Sequence, residues 1–255
     1  MSTNDKLTPL PAEPPMCPNC KGTGTVWLRS RWPNGTPGGT AEYPTEDCLC
    51  DAGQAAKLRR QTARYTAANL PHSNSPKTFD TFKFHRGTEP AFSIAQTYAE
   101  NPYDIPILTL SGNPGCGKSH LLEAIGRRAL ERGLVVRYTV GASLLDELRA
   151  SYDPDSPDRF QDVFDRYDRA DLLLLDDPGV EAATPWAMEK LFTLVNNRCM
   201  NRRALAIATN LNQRTMRNHL GPRTADRIWD TGSGLATVAV ITAGSYRTER
   251  HCKES

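Results

Sequence analysis

The segment from Gly112 to Ser119 constrains the fold more than any other part of the 255-residue sequence. It reads Gly-Asn-Pro-Gly-Cys-Gly-Lys-Ser and fits the phosphate-loop pattern at every fixed position. The apolar run at residues 105–110 predicts a buried strand before it, and apolar residues at helical spacing predict a helix after it. Phosphate binding requires this order, because the glycine-rich turn presents backbone amides and the helix presents its positive end. The predicted nucleotide-binding residues are Gly112, Asn113, Pro114, Gly115, Cys116, Gly117, Lys118, Ser119 and His120.

An acidic pair at the end of a second apolar strand completes the predicted site. Residues 171–175 form that strand, and Asp176 and Asp177 follow it. We expect Lys118 to neutralise the β and γ phosphates and Ser119 to bind Mg²⁺. Asp176 would hold the same ion, directly or through water, and Asp177 would polarise the attacking water. We therefore expect the acidic pair on a strand that neighbours the phosphate loop, while a solvated acidic turn is the alternative.

Strand and helix patterns alternate along the rest of the chain and predict an α/β fold with a doubly wound parallel sheet. Further strands are predicted at residues 134–140, 205–208 and 236–241, and further helices at 143–152, 158–167 and from residue 184 onward. The predicted domains are a disordered tail at residues 1–16, a cysteine-rich unit at 17–51, a linker helix and turn at 52–76, and the nucleotide-binding domain at 77–255.

Four of the seven cysteines form two close pairs near the N-terminus, Cys17-x-x-Cys20 and Cys48-x-Cys50. Two such pairs offer four thiolates to one tetrahedral ion, and zinc is the natural occupant in a reducing compartment. A loop rich in glycine and proline lies between strand-like stretches that end at residues 28 and 43, so we expect a small hairpin between the pairs. Unliganded cysteines are the alternative, and His72 is a further candidate ligand.

The composition places the chain in the cytoplasm. No stretch reaches the roughly 20 apolar residues of a membrane span, and the N-terminus lacks the apolar run of a signal peptide. The net charge of +2 is too small for nucleic-acid binding through bulk electrostatics. We therefore expect a cytoplasmic protein with no membrane partner, in which any DNA contact comes from a local patch.

The phosphate loop, the acidic strand and several later segments together resemble the AAA+ family over residues 77–255. Within it, the chain looks like the DnaC/DnaI type of replicative helicase loader and the related IstB-like ATPases. By this resemblance, residues 77–82 pack near the adenine, Asn210 is sensor 1 and Arg247 is sensor 2. The resemblance also implies that Arg227 is the arginine finger that reaches the ATP of a neighbouring subunit, with Arg223 as the alternative. Asp177 stands where most of the family has glutamate, which implies slow, switch-like hydrolysis.

The resemblance implies an ATPase that uses ATP and Mg²⁺, forms a homo-oligomer when ATP is bound, and loads the replicative DNA helicase onto single-stranded DNA. Such loaders contact DNA through the helices between the two nucleotide motifs, here residues 141–169. That stretch contains the cations and aromatics that backbone tracking and base stacking need, namely Arg149, Tyr152, Arg159, Phe160 and Tyr167. It is also rich in acidic residues, so an ordinary charged helical pair is the alternative. Cysteine clusters occur at the head of DnaI-like loaders, which implies that the zinc unit docks the helicase.

Two other functions stay open at this point. An IstB-like transposition helper would have the same nucleotide site but would act with a transposase, although IstB proteins usually begin with a helical region rather than cysteine pairs. A small-molecule P-loop kinase would need an acceptor pocket and an arginine-rich lid in one subunit. The sensor-like segments after residue 208 argue against the kinase.

Overall fold

The computed structural model describes residues 16–27, 45–71, 74–179 and 184–246. The chain divides into two compact units, Met1–Ala63 and Arg64–Ser255. Most of the predicted tail, the loop between the cysteine pairs, His72 and Arg247 lie outside the described residues. The predicted domain boundary at residues 70–76 stays a prediction.

The first unit is built on a short antiparallel pair of strands. β1 (Thr25–Trp27) pairs with β2 (Thr45–Asp47), which confirms the expected hairpin and places its second strand just beyond the predicted stretch. The N–H of Cys48 donates to the carbonyl of Gly24 at 2.9 Å, so the segment after β2 lies against the segment before β1. α1 (Asp51–Ala68) follows at once, and its alanine, lysine, arginine and glutamine residues favour a helix.

The second unit alternates helices and strands. Its helices are α2 (Glu89–Glu100), α3 (Lys118–Glu131), α4 (Gly141–Ala150), α5 (Phe160–Asp168), α6 (Pro185–Met200), α7 (Gln213–Leu220) and α8 (Pro222–Trp229). Its strands are β3 (Ile107–Gly112), β4 (Val136–Val140), β5 (Leu172–Asp176), β6 (Ala204–Thr209) and β7 (Ala236–Ile241). They form one parallel five-stranded sheet in the order β4-β5-β6-β3-β7. The predicted doubly wound α/β fold is confirmed.

An apolar core covers each face of this sheet. Leu172 and Leu174 of β5 pack on the face that carries α2 and α3, while Leu173 and Leu175 pack on the face that carries α4 to α8. Successive side chains of a strand point to opposite faces, so an uninterrupted apolar strand must be covered on both sides. Each fully buried leucine contributes about 1.5–3 kcal/mol, which makes β5 one of the most firmly held strands.

The strand that ends in the acidic pair does not neighbour the strand that ends in the phosphate loop. β6 lies between them, and its Leu205 is in register with Ile107 of β3 on one side and Leu173 of β5 on the other. The expectation of neighbouring strands is therefore wrong. Because the strands are parallel, their carboxyl ends still meet at one edge of the sheet. Asn210, the residue after β6, lies at the same edge.

The observed element bounds differ from the expected ones mainly at their starts. β4 begins at Val136 rather than at residue 134, because Leu134 still closes α3 by donating its N–H to Ala129 O at 3.1 Å. α4 lies at residues 141–150 rather than 143–152. α5 begins at Phe160 rather than at residue 158, because Arg159 is extended. The sequence pattern did not predict α2, α7 or α8. Within the described residues, none of the helices combines the length and apolar character of a membrane span.

Candidate functional site

The phosphate loop lies between the carboxyl end of β3 and the first turn of α3, as the sequence predicts. Gly117 precedes the helix with φ of +103°, a conformation that glycine adopts without strain. A Cβ on Gly117 would lie 3.0 Å from Cε2 of Phe82, and a Cβ on Gly115 would lie 2.4 Å from Oγ of Ser245. The loop is thus closely packed from outside, and its helix presents free backbone N–H groups and a positive end to an anion.

Lys118 is a buried cation held by two carbonyls of the loop and by the side chain of Asn210. Its Nζ donates to the carbonyls of Gly112 and Asn113 at 2.9 and 2.8 Å and to Oδ1 of Asn210 at 2.6 Å. Burial lowers the pKa of Lys118, although nearby Cys116 and the acidic pair oppose that shift. A buried ammonium that is compensated mainly by neutral oxygens favours an anion beside it, and phosphate oxygens would meet this need.

Asp176 ends β5 and lies beside the first turn of α3. One carboxylate oxygen, Oδ1, accepts from Ser119 Oγ at 3.1 Å, and the other, Oδ2, accepts from the hydroxyl of Tyr138 at 2.9 Å. Only 9% of Asp176 is exposed. Burial raises the pKa of Tyr138, and the adjacent carboxylate raises it further, so the phenol stays a donor. A serine hydroxyl and a carboxylate at hydrogen-bond distance are oxygen ligands of the kind that Mg²⁺ prefers. These residues therefore fit the ion that the sequence predicts here.

Asp177 and Asn210 connect the acidic strand to β6. Asp177 has φ of +48°, and its N–H donates to Ala208 O at 2.7 Å, so the chain turns away from β5 towards the end of β6. There, Nδ2 of Asn210 lies 3.4 and 3.5 Å from the two carboxylate oxygens of Asp177. Asn210 thus touches Lys118 with its oxygen and Asp177 with its nitrogen. One amide side chain bridges the phosphate loop and the acidic pair.

A cavity of about 450 Å³ opens between the phosphate loop and residues 75–85. This volume is typical of a small-molecule site. Nε2 of His120 lies 2.8 Å from the carbonyl of Thr78, and the His120 ring meets the edge of the Phe82 ring at 5.1 Å. Burial lowers the pKa of His120, so its imidazole is neutral near pH 7. The predicted entry segment therefore does lie beside the phosphate loop, with its aromatic and backbone groups facing the cavity.

The three predicted arginines have different outcomes. Arg227 lies half-buried in the last turn of α8, and Arg223 lies exposed in the first turn with its guanidinium 5.9 Å from the centre of the Phe192 ring. Neither is among the described residues that line the cavity. Arg247 lies outside the described residues, and its neighbour Tyr246 donates its N–H to Gly115 O at 3.1 Å. The roles of these arginines stay predictions.

The four paired cysteines meet in the first unit. The hairpin brings Cys17 Sγ to 3.6 Å from Cys48 Sγ and Cys20 Sγ to 3.5 Å from Cys50 Sγ, and all four sulfurs lie within 4.8 Å of one another. A tetrahedral zinc with bonds of about 2.3 Å requires sulfurs roughly 3.8 Å apart, so this cluster fits the ion. Backbone hydrogen bonds from Cys20 and Asn19 lower the pKa of Cys17 to about 6, which favours a thiolate there. The pKa of Cys48 is raised, against a backbone hydrogen bond from Cys50, by burial and by the other three sulfurs.

Aromatic side chains of α5, α6 and the turn after α4 form a stack at the surface. The ring of exposed Tyr152 stacks on Phe160 at 5.0 Å, and Phe160 stacks on Phe164 at 5.9 Å. The guanidinium of Arg149 lies 5.1 Å from the centre of the Trp186 ring, which α6 contributes. We call Arg149, Tyr152, Phe160, Phe164 and Trp186 the aromatic stack. Tyr167, the remaining aromatic of the predicted DNA-contact set, is 93% buried and donates to Glu147, so it is unsuited to base stacking.

Sequence reasoning missed two polar residues that the structure places at the centre of the fold. Tyr138 carries no motif, although a tyrosine on the core-facing side of a strand signals that its hydroxyl has a partner. Arg198 sits among apolar residues of α6 and is fully buried, with its guanidinium donating to main-chain carbonyls around the start of β5. A charged residue on an apolar helix face is the signal that could have identified it.

Known proteins resemble this chain in sequence and in fold. The family model described as IstB-like ATP binding protein matches residues 45–254. The replicative helicase loader DnaC of Buchnera aphidicola subsp. Schizaphis graminum is 28% identical over 186 residues, which cover 72% of this chain and 74% of that protein. The crystal structure of the DnaC helicase loader aligns with a TM-score of 0.58 and 21% identity over 65% of this chain and 97% of that chain.

A second solved structure extends the likeness in fold. The AMPPCP-bound DnaA of Aquifex aeolicus aligns with a TM-score of 0.59 and 21% identity, over 70% of this chain and 53% of that chain. At such identities the two solved structures establish the shared sheet and helix arrangement. The family match carries the relationship in sequence, because it spans most of the chain.

Proposed function

The chain belongs to the family of IstB-like ATP binding proteins, and from this premise we propose that it is an ATP-dependent loader of the replicative DNA helicase. In this proposal the protein places the helicase on single-stranded DNA and hydrolyses ATP between its own subunits. The observation that carries the proposal is the bridge of Asn210 between Lys118 and Asp177, which connects phosphate binding to the acidic pair. The sequence relationship to DnaC proteins supports the choice of partner.

Phosphate binding would change the partners of Lys118. Its ammonium now rests on two loop carbonyls and on Asn210. Phosphate oxygens are stronger acceptors than neutral oxygens, so the ammonium would turn towards the β and γ phosphates. Asn210 would then be released to meet the γ phosphate or the water that Asp177 orients. Bound Mg²⁺, held by Ser119 and Asp176, would neutralise charge on the same phosphates.

The segment after Asn210 leads directly into α7, and α8 follows and carries Arg227. A change at Asn210 can therefore be transmitted to the surface on which Arg227 lies. An arginine supplied by a neighbouring copy makes hydrolysis depend on assembly, because the charge that develops on the γ phosphate needs a fixed cation. We accordingly infer a homo-oligomer when ATP is bound.

The aromatic stack supports single-stranded DNA as the second ligand. Tyr152 exposes about half of its surface and ends the series of parallel rings that it forms with Phe160 and Phe164, while Trp186 meets it edge-on at 6.2 Å. A nucleobase can continue this series. Base stacking on an aromatic side chain contributes about 1–3 kcal/mol per base and accepts any sequence. Replacing Tyr152 with alanine should weaken binding of single-stranded DNA about 5-fold to 150-fold. Tyr103→Ala, which removes an exposed tyrosine from the turn between α2 and β3, is the control. Equal affinities for the two variants would contradict this assignment.

The cysteine cluster supports a zinc-stabilised docking unit for the helicase. A unit of this size has little apolar core, and a bound metal commonly supplies its folding free energy. Purified protein should contain about one zinc per chain. Cys20→Ser should lower that content, whereas Cys252→Ser, outside the two pairs, should not. A folded first unit without metal would exclude this role.

Lys118→Ala tests the proposed function as a whole. It should abolish ATP binding and the ATP-dependent capture of the host replicative helicase in the presence of single-stranded DNA, while Arg128→Ala, an exposed residue in the last turn of α3, should leave both intact. An unchanged ATPase rate would remove the site assignment. Capture of a transposase instead of the helicase would favour the IstB-like transposition helper, which the family match also suggests.

A mixing experiment tests hydrolysis between subunits. Arg227→Ala protein has an intact nucleotide site and Lys118→Ala protein has an intact α8, so a mixture should recover part of the hydrolysis that each lacks. Arg223→Ala serves as the comparison on the same helix. Without recovery in the mixture, the finger would not act between subunits.

A further inference from the structure

The magnesium ligand of the proposed site is tied to the edge strand of the sheet by one hydrogen bond. Tyr138 lies on β4, where Val140 is in register with Asp176 of β5. Tyr138 is therefore two residues before the position opposite Asp176 and faces the same side of the sheet. A side chain as long as tyrosine can span this diagonal, and its hydroxyl reaches Oδ2 of Asp176 at 2.9 Å.

The contact leaves the carboxylate able to bind a cation. Each carboxylate oxygen has two lone pairs, and in this structure Oδ1 accepts from Ser119 while Oδ2 accepts from Tyr138. Each oxygen keeps one lone pair for a further ligand. The Ser119 oxygen also keeps its lone pairs, because it is the donor in its own bond. Hydroxyl and carboxylate can thus bind one ion together while Tyr138 fixes the rotation of the carboxylate.

We propose that Tyr138 is a positioning residue for Mg²⁺, holding one carboxylate oxygen of Asp176 so that the other stays directed at Ser119 and the ion. This inference rests on the proposed nucleotide function and names a residue that supports its metal. Tyr138 is 8% exposed and packs within the core cluster that covers α3, so its hydroxyl has little freedom to move elsewhere. Groups that orient a metal ligand in this way typically change metal affinity 10-fold to 100-fold when removed.

Tyr138→Phe tests the role because it removes only the hydroxyl. The matched control is Tyr98→Phe: Tyr98 belongs to the same core cluster, is equally buried, and donates to Pro106 O at 2.9 Å, at the opposite end of β3. Both variants lose one buried hydrogen bond of a tyrosine. Only one of them loses a bond to the magnesium ligand.

The assay uses the full chain and a fluorescent ATP analogue, first in EDTA and then across a Mg²⁺ titration, with Mn²⁺ binding followed by electron paramagnetic resonance. For Tyr138→Phe we expect unchanged affinity in EDTA and a Mg²⁺ and Mn²⁺ requirement raised about 10-fold to 100-fold. For Tyr98→Phe we expect the metal requirement of the wild type. A rise of the same size in both variants, or no rise in Tyr138→Phe, overturns the proposal.

Two further measurements keep the test decisive. If Tyr138→Phe does not fold, Tyr138→Met fills much of the same space without a hydroxyl and carries the same expectation. In a double-mutant cycle with Asp176→Asn, removal of the Tyr138 hydroxyl should have no additional effect on metal binding; additive effects would contradict the role. If the wild type binds the analogue without any response to Mg²⁺, the proposed function fails by itself, whatever Tyr138 does.

Discussion

Replacing Arg198 with methionine is expected to destabilise the protein by about 3 kcal/mol. The reason is that its guanidinium hydrogen-bonds the segment that connects α5 to β5. Arg198 is fully buried on α6. Its two terminal nitrogens donate to five main-chain carbonyls, those of Tyr167, Asp168, Ala170, Asp171 and Ala204. Two of these belong to the end of α5, where helix carbonyls have no partner within the helix. The arginine therefore caps a helix and fixes the start of the strand that carries Asp176.

The magnitude follows from two opposing contributions. A buried carbonyl without a partner costs about 1–3 kcal/mol. Asp168 O keeps Arg203 as a second donor at 2.9 Å, and Asp171 O lies at the longest distance from Arg198, 3.4 Å. The other three carbonyls, those of Tyr167, Ala170 and Ala204, lose a closer donor, at a combined cost of about 6 kcal/mol. Against this, burial lowers the pKa of Arg198 to about 10, although Tyr98 and Asp168 oppose the shift, and this net shift corresponds to roughly 3 kcal/mol that methionine avoids. The difference is about 3 kcal/mol.

Urea denaturation followed by circular dichroism measures this loss. With a slope of about 2–3 kcal/mol per molar urea, the midpoint should fall by roughly 1–1.5 M. Arg198→Lys keeps the charge but has three donors, so its midpoint should lie between those of the wild type and Arg198→Met. Arg169 lies in the same segment between α5 and β5, and its side chain, which pairs with Asp165, is exposed. Arg169→Met should therefore change the free energy of unfolding by less than about 0.5 kcal/mol. Similar midpoints for Arg198→Met and Arg169→Met would refute the reasoning.

The remaining predictions concern the nucleotide site. Asn210→Ala should lower the turnover number about 100-fold to 1,000-fold while ATP binding stays nearly unchanged, since the bridging amide acts during hydrolysis rather than in binding. Steady-state ATPase assays measure this effect, with Asn201→Ala at the end of α6 as the control. A normal turnover number for Asn210→Ala would contradict the role. Gly117→Ala should weaken ATP binding at least about 10-fold, because the new Cβ is strained at φ of +103° and lies 3.0 Å from the Phe82 ring. Gly221→Ala shares a positive φ of +81° but has no atom within 4 Å, so an equally large effect there would mean that the contact is irrelevant.

The parts of the site that could be predicted from sequence are those in which chemistry and chain position coincide. The phosphate loop needs glycines, a lysine and a serine in one continuous stretch, and the structure places that stretch between β3 and α3 as expected. The acidic pair and Asn210 each follow an apolar strand, and parallel strands end at one edge. The two cysteine pairs were likewise recognisable by their spacing, and the hairpin brings their sulfurs together.

Other elements gave too weak a pattern. α2 turns small alanines such as Ala91, Ala95 and Ala99 towards the core, so its apolar face is less evident than one built from leucine. α7 and α8 have eight residues each, which is about two turns and too short for a clear period. Their positions are set by packing against α6 and the sheet, which the local sequence does not encode.

The sequence by itself determined the fold class, the phosphate loop, the acidic strand and the four clustered cysteines, because each depends on residues close together in the chain. Only the tertiary structure decided that β6 separates β3 from β5, that the Tyr138 hydroxyl donates to Asp176, and that Arg198 donates to the carbonyls before β5. Arg198 and Ala170 are 28 positions apart in the sequence, and Tyr138 and Asp176 are 38 positions apart. Such pairings depend on which strands are adjacent, and strand order follows from how helices cover both faces of the sheet rather than from any local motif.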